Sequence, residues 1–385
     1  MYQIQQLHAG DMLQLLKFLN AAFLGDSEAG HFEKILPKMW VDDDAHMEKH
    51  YVIRENGKLV SSVGVYPFRV TVAGETLCFA TVGNMGTAKE ARGKGYLDAL
   101  YTNANKVLEE TGVDIARLGG KRSRYARYGY EQCGVGYRFS LKTHNAAAYL
   151  KNHDLPRLSF RVIRQEDTQL LQRVHDLYRK NGIAADRGDA HELYLTLISA
   201  KSVPYAAFAG EHMVGYFTVA EDRIYEASAD TPELLVNMLC SFVAGRDSGI
   251  EVYLPPDRVA ELRFLASFCE GMTQVIPSQY KILNWTKVTN AFLQLKARAI
   301  APLADGELIL GIREYGNICI RVDGGVGACT RTDLPADLEL SVLEASRFLF
   351  GVLPPHITVA VPKEKAVFVA ANFPLPLYTH HLDKS

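Results

Sequence analysis

The sequence predicts an α/β (α+β) protein built from three domains. Its 385 residues exceed what one compact core usually holds, because domains run to about 100–200 residues each. Hydrophobic patterns of helical and strand-like period alternate along the chain. A hairpin pattern near the N-terminus recurs in the stretch that begins "YAAFAGEHMVGYF", which indicates an internal duplication.

The N-terminal region begins with an amphipathic helix, because its apolar residues between Met12 and Leu19 recur at helical spacing. Residues 51–87 then predict an antiparallel meander with a tight turn at Asn56-Gly57. Apolar residues at helical spacing over 97–108 predict a second helix that ends near Gly112, and the strand "VDIARL" follows it.

The later regions follow a polar, proline-containing linker, "KNHDLPRLSF". A second alternation of helices and strands runs from Gln165 to about Trp285, without a glycine-rich turn after its strands. A third region, from about Phe292, predicts strands in "GELILGIRE" and "GNICIRVDGG", mixed strand and helix in "LELSVLEASRFLFG", and a last strand in "ITVAVP".

The composition is that of an ordinary globular protein, and its formal charge of -2 predicts no general affinity for nucleic acid. Six isolated cysteines predict neither a disulfide frame nor a zinc site, and we expect no metal. The start "MYQIQQLHAGDML" lacks a signal-peptide pattern, and no apolar run reaches the roughly 18 residues that span a bilayer. We therefore expect a cytoplasmic protein without membrane contact.

The segment "GTAKEARGKGYLDAL" places Arg92, Gly93, Lys94, Gly95 and Tyr96 between a strand and a helix. Glycines allow backbone N–H groups to approach an anion, and the helix N-terminus and the two cations add positive charge. The pattern predicts a pyrophosphate site, although a tight surface turn with solvated cations also fits so short a motif. It matches neither a P-loop nor a dinucleotide-binding motif.

This segment resembles the Arg-x-x-Gly-x-small motif of the GCN5-related N-acetyltransferases (GNAT), with Leu97 where the family has a small residue. The larger residue and the length resemble the enhanced-intracellular-survival (Eis-like) branch. That resemblance implies a GNAT domain with a mixed, splayed sheet over 1–150, a degenerate GNAT-like domain over 151–287, and a sterol-carrier-like α+β domain over 288–385.

The resemblance implies acetyl-CoA as co-substrate, in a cleft where the strand at 82–87 parts from the strand at 113–118. It implies contacts between the pantetheine and the backbone of Met85, Gly86 and Thr87. Residues Arg92 to Tyr96 would hold the pyrophosphate.

The stretch "RLGGKRSRYARYGYEQCG" at 117–134 is compatible with a nucleic-acid surface, a phosphate site or a catalytic loop. The charge balance disfavours the first. The resemblance assigns Tyr125 as general acid, and a phenol of pKa about 10 can protonate a thiolate whose conjugate acid has a pKa near 8.5. We expect Tyr128 and Tyr130 to pack the loop, and its basic side chains to be solvated, salt-bridged or directed at the cofactor.

A base must accept the proton of the attacking amine. The resemblance implies the carboxylate of the last residue, Ser385, in this role. The polar ending "PLPLYTHHLDKS" is compatible with a frayed tail, but its prolines and leucines favour a docked one. His380, His381 and Asp383 are alternative candidates.

Phe23, Asp26 and Trp40 are candidate acceptor-binding residues, with ordinary core packing or helix capping as the competing interpretation. The sequence leaves the amine open between an aminoglycoside, a polyamine, a lysine and a small molecule. The resemblance implies a homo-oligomer of up to six subunits. An alternative function is a non-catalytic carrier of lipid or another small ligand in the third domain.

Overall fold

A computed structural model describes residues 2–24 and 31–383. Its elements up to residue 133 are β1 (Ile4–Gln6), α1 (Met12–Leu24), α2 (His31–Ile35), α3 (Asp44–Met47), β2 (His50–Glu55), β3 (Lys58–Val72), β4 (Glu75–Thr87), α4 (Tyr96–Glu110), β5 (Ile115–Leu118), α5 (Arg122–Tyr125) and β6 (Glu131–Cys133). Up to residue 299 follow β7 (Gly136–Leu141), α6 (Thr143–Asn152), β8 (Ser159–Val162), α7 (Thr168–Tyr178), β9 (Ile183–Ala185), α8 (Ala190–Leu197), β10 (Val203–Ala209), β11 (His212–Ala220), β12 (Arg223–Ala229), α9 (Pro232–Ala244), β13 (Ile250–Leu254), α10 (Val259–Ala266), β14 (Gly271–Val275), β15 (Ser278–Ile282) and α11 (Trp285–Ala299). The last are β16 (Gly306–Ile312), β17 (Gly316–Asp323), β18 (Val326–Arg331), β19 (Leu338–Leu340), α12 (Val342–Phe350), α13 (Pro355–Thr358) and α14 (Ala366–Asn372).

The first sheet has the strand order β1-β2-β3-β4-β5-β15-β6, and β9 pairs with β3. Its strands β2, β3 and β4 form the predicted antiparallel meander. Strand β5 pairs in parallel with β4 only where 79–81 face 115–117. Since β4 continues to Thr87, the two strands part beyond this point.

A bulge in β4 contributes to this parting. The β3–β4 register shifts near Ser62, and Asn84 has a φ of 50°, in the left-handed region. An extra residue on one strand bends that strand and increases its twist. The bulge therefore lies at the place where β4 leaves β5.

The second sheet, β14-β7-β13-β12-β11-β10-β8, repeats the hairpin style of the first. Strands β10 to β12 are antiparallel, and β12 then pairs in parallel with β13. The third sheet has the order β18-β17-β16-β19. These mixed sheets confirm the predicted α/β fold class.

The third region differs from prediction at "ITVAVP". Instead of a last strand, residues 355–358 form the short helix α13, which has proline in its first turn, and the residues after it form no strand. Proline presets the helical φ and lacks the N–H that a strand must donate. The alternative function, a carrier, would need the apolar faces of the third region to line an open cavity. Leu308, Leu310 and Phe348 lie on those faces and pack into one core with strands of the first sheet.

The first two sheets exchange strands across the predicted domain boundary at 150. Strand β15 inserts between β5 and β6 in the first sheet, and β7 belongs to the second. The boundaries themselves stay predictions. In the part of the chain that the structure describes, no helix has the length and apolarity to cross a membrane.

The C-terminal segment 373–383 docks in the interior. Leu375, Leu377 and Leu382 are buried. The Leu375 N–H donates to the Leu349 carbonyl at 2.7 Å, and the Val135 N–H donates to the Leu377 carbonyl at 2.9 Å. Up to Asp383, the chain therefore ends as a packed segment.

Candidate active site

A cleft of about 670 Å³ lies beside the part of β4 that continues beyond its pairing with β5. Its wall includes the C-terminal end of β4, the turn before α4 and the start of α4. The lining residues are Ala22, Phe23, Met85, Gly86, Thr87, Ala91, Arg92, Gly93, Gly95, Tyr96, Leu97, Asp98, Arg124 and Arg127. The structure thus brings most of the predicted cofactor-binding residues to one surface.

The turn at 92–95 has the backbone of an anion site. Gly93 and Gly95 have φ values of 80° and 76°, which disfavour any residue with a Cβ. Gly95 is the N-cap of α4 and offers no side-chain hydrogen bond to its first turn. The first N–H groups of a 15-residue helix are therefore free of a side-chain cap at the edge of the cleft.

The two cations predicted at the pyrophosphate site, Arg92 and Lys94, have different surroundings in the structure. Arg92 lines the cleft, but Lys94 does not; its Nζ lies 2.8 Å from the Glu55 carboxylate, to which the Tyr96 hydroxyl also donates. Arg124 and Arg127 line the cleft instead. The residues present fit a pyrophosphate, because Arg92, Arg124 and a helix N-terminus line one space, where Arg127 is paired with Asp98.

A second cleft of about 320 Å³ adjoins the first, and Phe23 and Met85 line both. Its other lining residues are Leu36, Met39, Tyr66, Thr81, Val82, Gly83, Asn84, Arg117, Leu118, Gly119, Tyr125, Pro277, Ser278 and His381. Together the clefts form a passage on both sides of the sheet's parting. Two ligands could meet where they join.

Tyr125 ends α5 and is 5 % exposed in the second cleft. Its ring lies against Gly120, where an added Cβ would come within 2.6 Å of the ring carbon Cε2. The Gly120 φ of 125° is also one that other residues rarely adopt. Glycine at 120 therefore makes room for the Tyr125 ring.

The neighbouring tyrosines hold the loop. The Tyr128 ring stacks on Tyr101 at a centroid distance of 4.2 Å, and Tyr130 is fully buried, edge-on to Tyr101. Burial raises the pKa of Tyr128 to about 12. Arg122 turns away from the clefts, because its Nε lies 2.5 Å from the buried Glu131 carboxylate.

The three candidate bases near the C-terminus, His380, His381 and Asp383, lie in different surroundings. The Asp383 carboxylate accepts from Arg187 Nε at 2.8 Å and from the Tyr178 hydroxyl at 2.7 Å. The His380 ring is buried, with Nε2 at 3.2 Å from the Ile183 carbonyl. His381 alone of the three lines the second cleft, where its ring stacks on Tyr225 at 3.9 Å.

A buried hydrogen-bonded chain supports the bulge. His50 Nδ1 lies 3.3 Å from the Met47 carbonyl, so its Nδ1–H donates and Nε2 accepts from the Tyr66 hydroxyl at 2.7 Å. The Asn84 amide in turn donates to the Tyr66 oxygen at 2.7 Å. Burial lowers the pKa of His50 to about 4 and raises that of Tyr66, so both groups stay neutral.

The predicted acceptor residues are only partly brought together. Phe23 lies at the junction of the clefts, half exposed. Trp40 lines neither cleft. Its indole N–H donates to the Phe32 carbonyl at 3.0 Å, and its ring stacks on His50. Trp40 therefore packs the helical region against the sheet. Asp26 and Ser385 lie outside the described residues.

Residues that the sequence did not single out also line the second cleft. Tyr66 and Asn84 belong to regular strand patterns that carry no signal of their own. Arg117 had one, a cation inside the otherwise apolar run "IARL" at 115–118, and it is 5 % exposed. Charged groups are rarely buried without a partner, so such a position is a candidate for a ligand site.

Fold and clefts define the class of protein. Residues 3–133 match the family model of the acetyltransferase (GNAT) domain. The chain therefore carries a GNAT domain at its N-terminal end, as the sequence motif predicted. Domains of this family use acetyl-CoA and act in acyl transfer.

Solved structures extend the likeness in fold to nearly the whole chain. A GCN5-related N-acetyltransferase from Kribbella flavida is 16 % identical, with a TM-score of 0.71 and coverage of 97 % of this chain and 96 % of that one. Eis1 from Mycobacterium abscessus is 14 % identical, with a TM-score of 0.66 and coverage of 97 % and 98 %. Comparison with curated proteins found no match. The sterol-carrier-like character of the third domain stays a prediction.

Proposed function

We propose that the protein transfers an acetyl group from acetyl-CoA directly to the nitrogen of an amine. The observation that carries this proposal is the junction of the two clefts at Phe23 and Met85. One cleft has the features of a pyrophosphate site and the other holds a phenol. A thioester and an amine bound in the two clefts would meet at the junction.

Acetyl-CoA supplies the acyl group as a thioester. Arg92 and the N-terminus of α4 hold its pyrophosphate, and the backbone of 85–87 borders its path toward the junction. Arg124 adds a cation to the lining, and Arg127 also lines the cleft, paired with Asp98 of the first turn of α4.

At the junction Tyr125 donates its proton or a hydrogen bond to the departing sulfur, and His381 is the described candidate to accept the proton of the amine. Direct transfer is favoured because the described linings contain no cysteine, and the one serine in them, Ser278, already donates to the Leu118 carbonyl at 2.8 Å. The new C–N bond forms as the C–S bond breaks.

Isothermal titration with acetyl-CoA tests binding, and a thiol-release assay over an amine panel tests transfer. We expect Tyr125→Phe to lower kcat by about 100-fold or more, since general acids contribute that much. Tyr130→Phe is the matched control, because this fully buried phenol lines neither cleft and its hydroxyl has no hydrogen-bond partner among the described residues. Absence of acetyl-CoA binding, or equal kcat values in the two variants, would contradict the proposal.

A further inference from the structure

The second cleft contains a buried guanidinium that no described residue pairs. Arg117 is 5 % exposed, yet its side chain takes part in no hydrogen bond and no ion pair with any described residue. Burying a cation without compensation is costly, and proteins normally pair it. The nearby Asp383 does not fill this role, because its carboxylate is bonded to Arg187 and Tyr178.

A second unpaired polar group lies on the neighbouring strand. Thr81 stands directly opposite Arg117 in the β4–β5 register and also lines the second cleft. Its hydroxyl is buried and has no hydrogen-bond partner among the described residues. Cross-strand neighbours lie on the same face of a sheet, so the two unsatisfied donors belong to one surface.

The rest of the lining sets the charge of the cleft. None of its described residues is Asp or Glu, whereas Arg117 is a permanent cation and His381 a second basic group. A polycationic amine would meet like charge here and find no carboxylate among the described lining residues. An anion would satisfy the guanidinium, which forms paired hydrogen bonds with carboxylates.

The volume and the apolar wall of the second cleft further limit the class of ligand that it can hold. The volume of about 320 Å³ is at the small end of ligand sites, which span about 300–1,000 Å³. Leu36, Met39, Val82 and Pro277 supply an apolar wall. The cleft therefore fits a small molecule with an apolar body and one anionic group.

We infer that the acceptor is a small amine that carries a carboxylate, such as an amino acid with an apolar side chain, and that Arg117 binds this carboxylate. The inference rests on the proposed acetyl transfer and narrows the acceptor class. Thr81 completes the site by donating its hydroxyl to the same group. The amine is then directed from the buried end of the cleft toward the junction and Tyr125.

The experiment compares matched acceptors in the thiol-release assay: phenylalanine, its amide and phenethylamine, and the corresponding leucine series. The amine of the amide has a lower pKa than that of the free acid, so a larger fraction of it is the unprotonated nucleophile. A preference for the free acid over the amide therefore cannot come from the availability of the nucleophile. We expect a KM for the free acids about 10- to 100-fold below that of the amides and amines. Equal use of the three forms, or preference for a polyamine, would overturn the inference and leave the proposed function standing.

Variants locate the effect. Arg117→Met is expected to remove the preference by raising the KM for the free acids while the KM for acetyl-CoA stays unchanged, and Arg117→Lys to retain part of it. The melting temperature of Arg117→Met should equal or exceed that of the unchanged protein, because an unpaired buried cation is removed. A large fall in melting temperature with an unchanged preference would assign Arg117 a structural role and refute the inference.

If no amine is acetylated, a binding measurement tests the carboxylate site separately from the proposed acetyl transfer. Calorimetry with phenylalanine and leucine would then be run on the unchanged protein and on Arg117→Lys. Binding that weakens in the variant supports the carboxylate site although acetyl transfer has failed. No binding of either free acid overturns the inference.

Discussion

Replacement of Gly120 by alanine tests how the loop positions Tyr125. An added Cβ would come within 2.6 Å of the Tyr125 Cε2, a separation that real Cβ contacts do not show, so the ring must move. The φ of 125° adds strain for any residue other than glycine, of about 1–3 kcal/mol. Tyr125 is 5 % exposed and packs against Tyr101. A shift of its ring therefore either loses packing contacts or removes the phenol from its position in the cleft.

The matched control is the preceding residue. A Cβ on Gly119 would meet nothing within 4 Å, and this glycine does not have a positive φ. We expect Gly120→Ala to lower the melting temperature and to lower kcat about 10-fold or more, since misplacement by about 1 Å can cost 100-fold. Gly119→Ala should keep the melting temperature close to that of the unchanged protein, and because Gly119 lines the second cleft, any kinetic change should appear in the KM for the amine.

Thermal unfolding and thiol-release kinetics on the two variants provide the measurement. The acetyl-CoA KM should stay similar in both, because neither glycine lines the larger cleft. If Gly120→Ala were as stable and as active as Gly119→Ala, the glycine would not be what holds the Tyr125 ring, and the reasoning would be refuted.

Further substitutions test the rest of the site. Arg92→Gln should raise the KM for acetyl-CoA about 10-fold, whereas Lys94→Gln should change it little, because only Arg92 lines the cleft; equal effects would contradict the assignment. His50 has a folded pKa of about 4, below the ordinary 6.5, so its stability contribution is present above pH 6.5 and is lost as pH falls to about 4. The loss amounts to about 3 kcal/mol, and acid unfolding of His50→Gln should lack this component. Arg187→Met should destabilise the protein by about 3–5 kcal/mol in denaturant unfolding, since it leaves the buried Asp383 and Glu226 carboxylates without their cation; unchanged stability would show that the pair contributes nothing.

Local sequence signals located the larger cleft well. The glycines at 93 and 95 determine backbone geometry directly, so a short motif was sufficient to place the turn, the helix start and the adjacent Arg92. The meander over 51–87 was likewise predictable, because alternating apolar residues and tight turns are local features. Lys94 pairs with Glu55 of a different strand, a contact that the local motif does not reveal, and its role at the pyrophosphate stays a prediction.

The second cleft could not be predicted in the same way. Its polar residues come from β3, β4, β5, α5, β15 and the C-terminal segment, and only the tertiary fold brings them together. The sequence showed a cation in the strand "VDIARL" but could not show that it has no partner. The contacts of Trp40 with Phe32 and His50 could not be predicted for the same reason, since they depend on the packing of the helical region on the sheet, and its role in acceptor binding stays a prediction.

The insertion of β15 between β5 and β6 ties the assembly of the acetyltransferase sheet to the length of the nascent chain. Residues 3–133 match the domain, yet the sheet stays open until residues 278–282 have been synthesised and have paired with both neighbours. Contacts separated by so many residues form slowly, and an open edge exposes unpaired backbone in the meantime. A fragment ending near residue 150 would present that edge permanently, so aggregation rather than activity is the expected fate of an excised N-terminal domain.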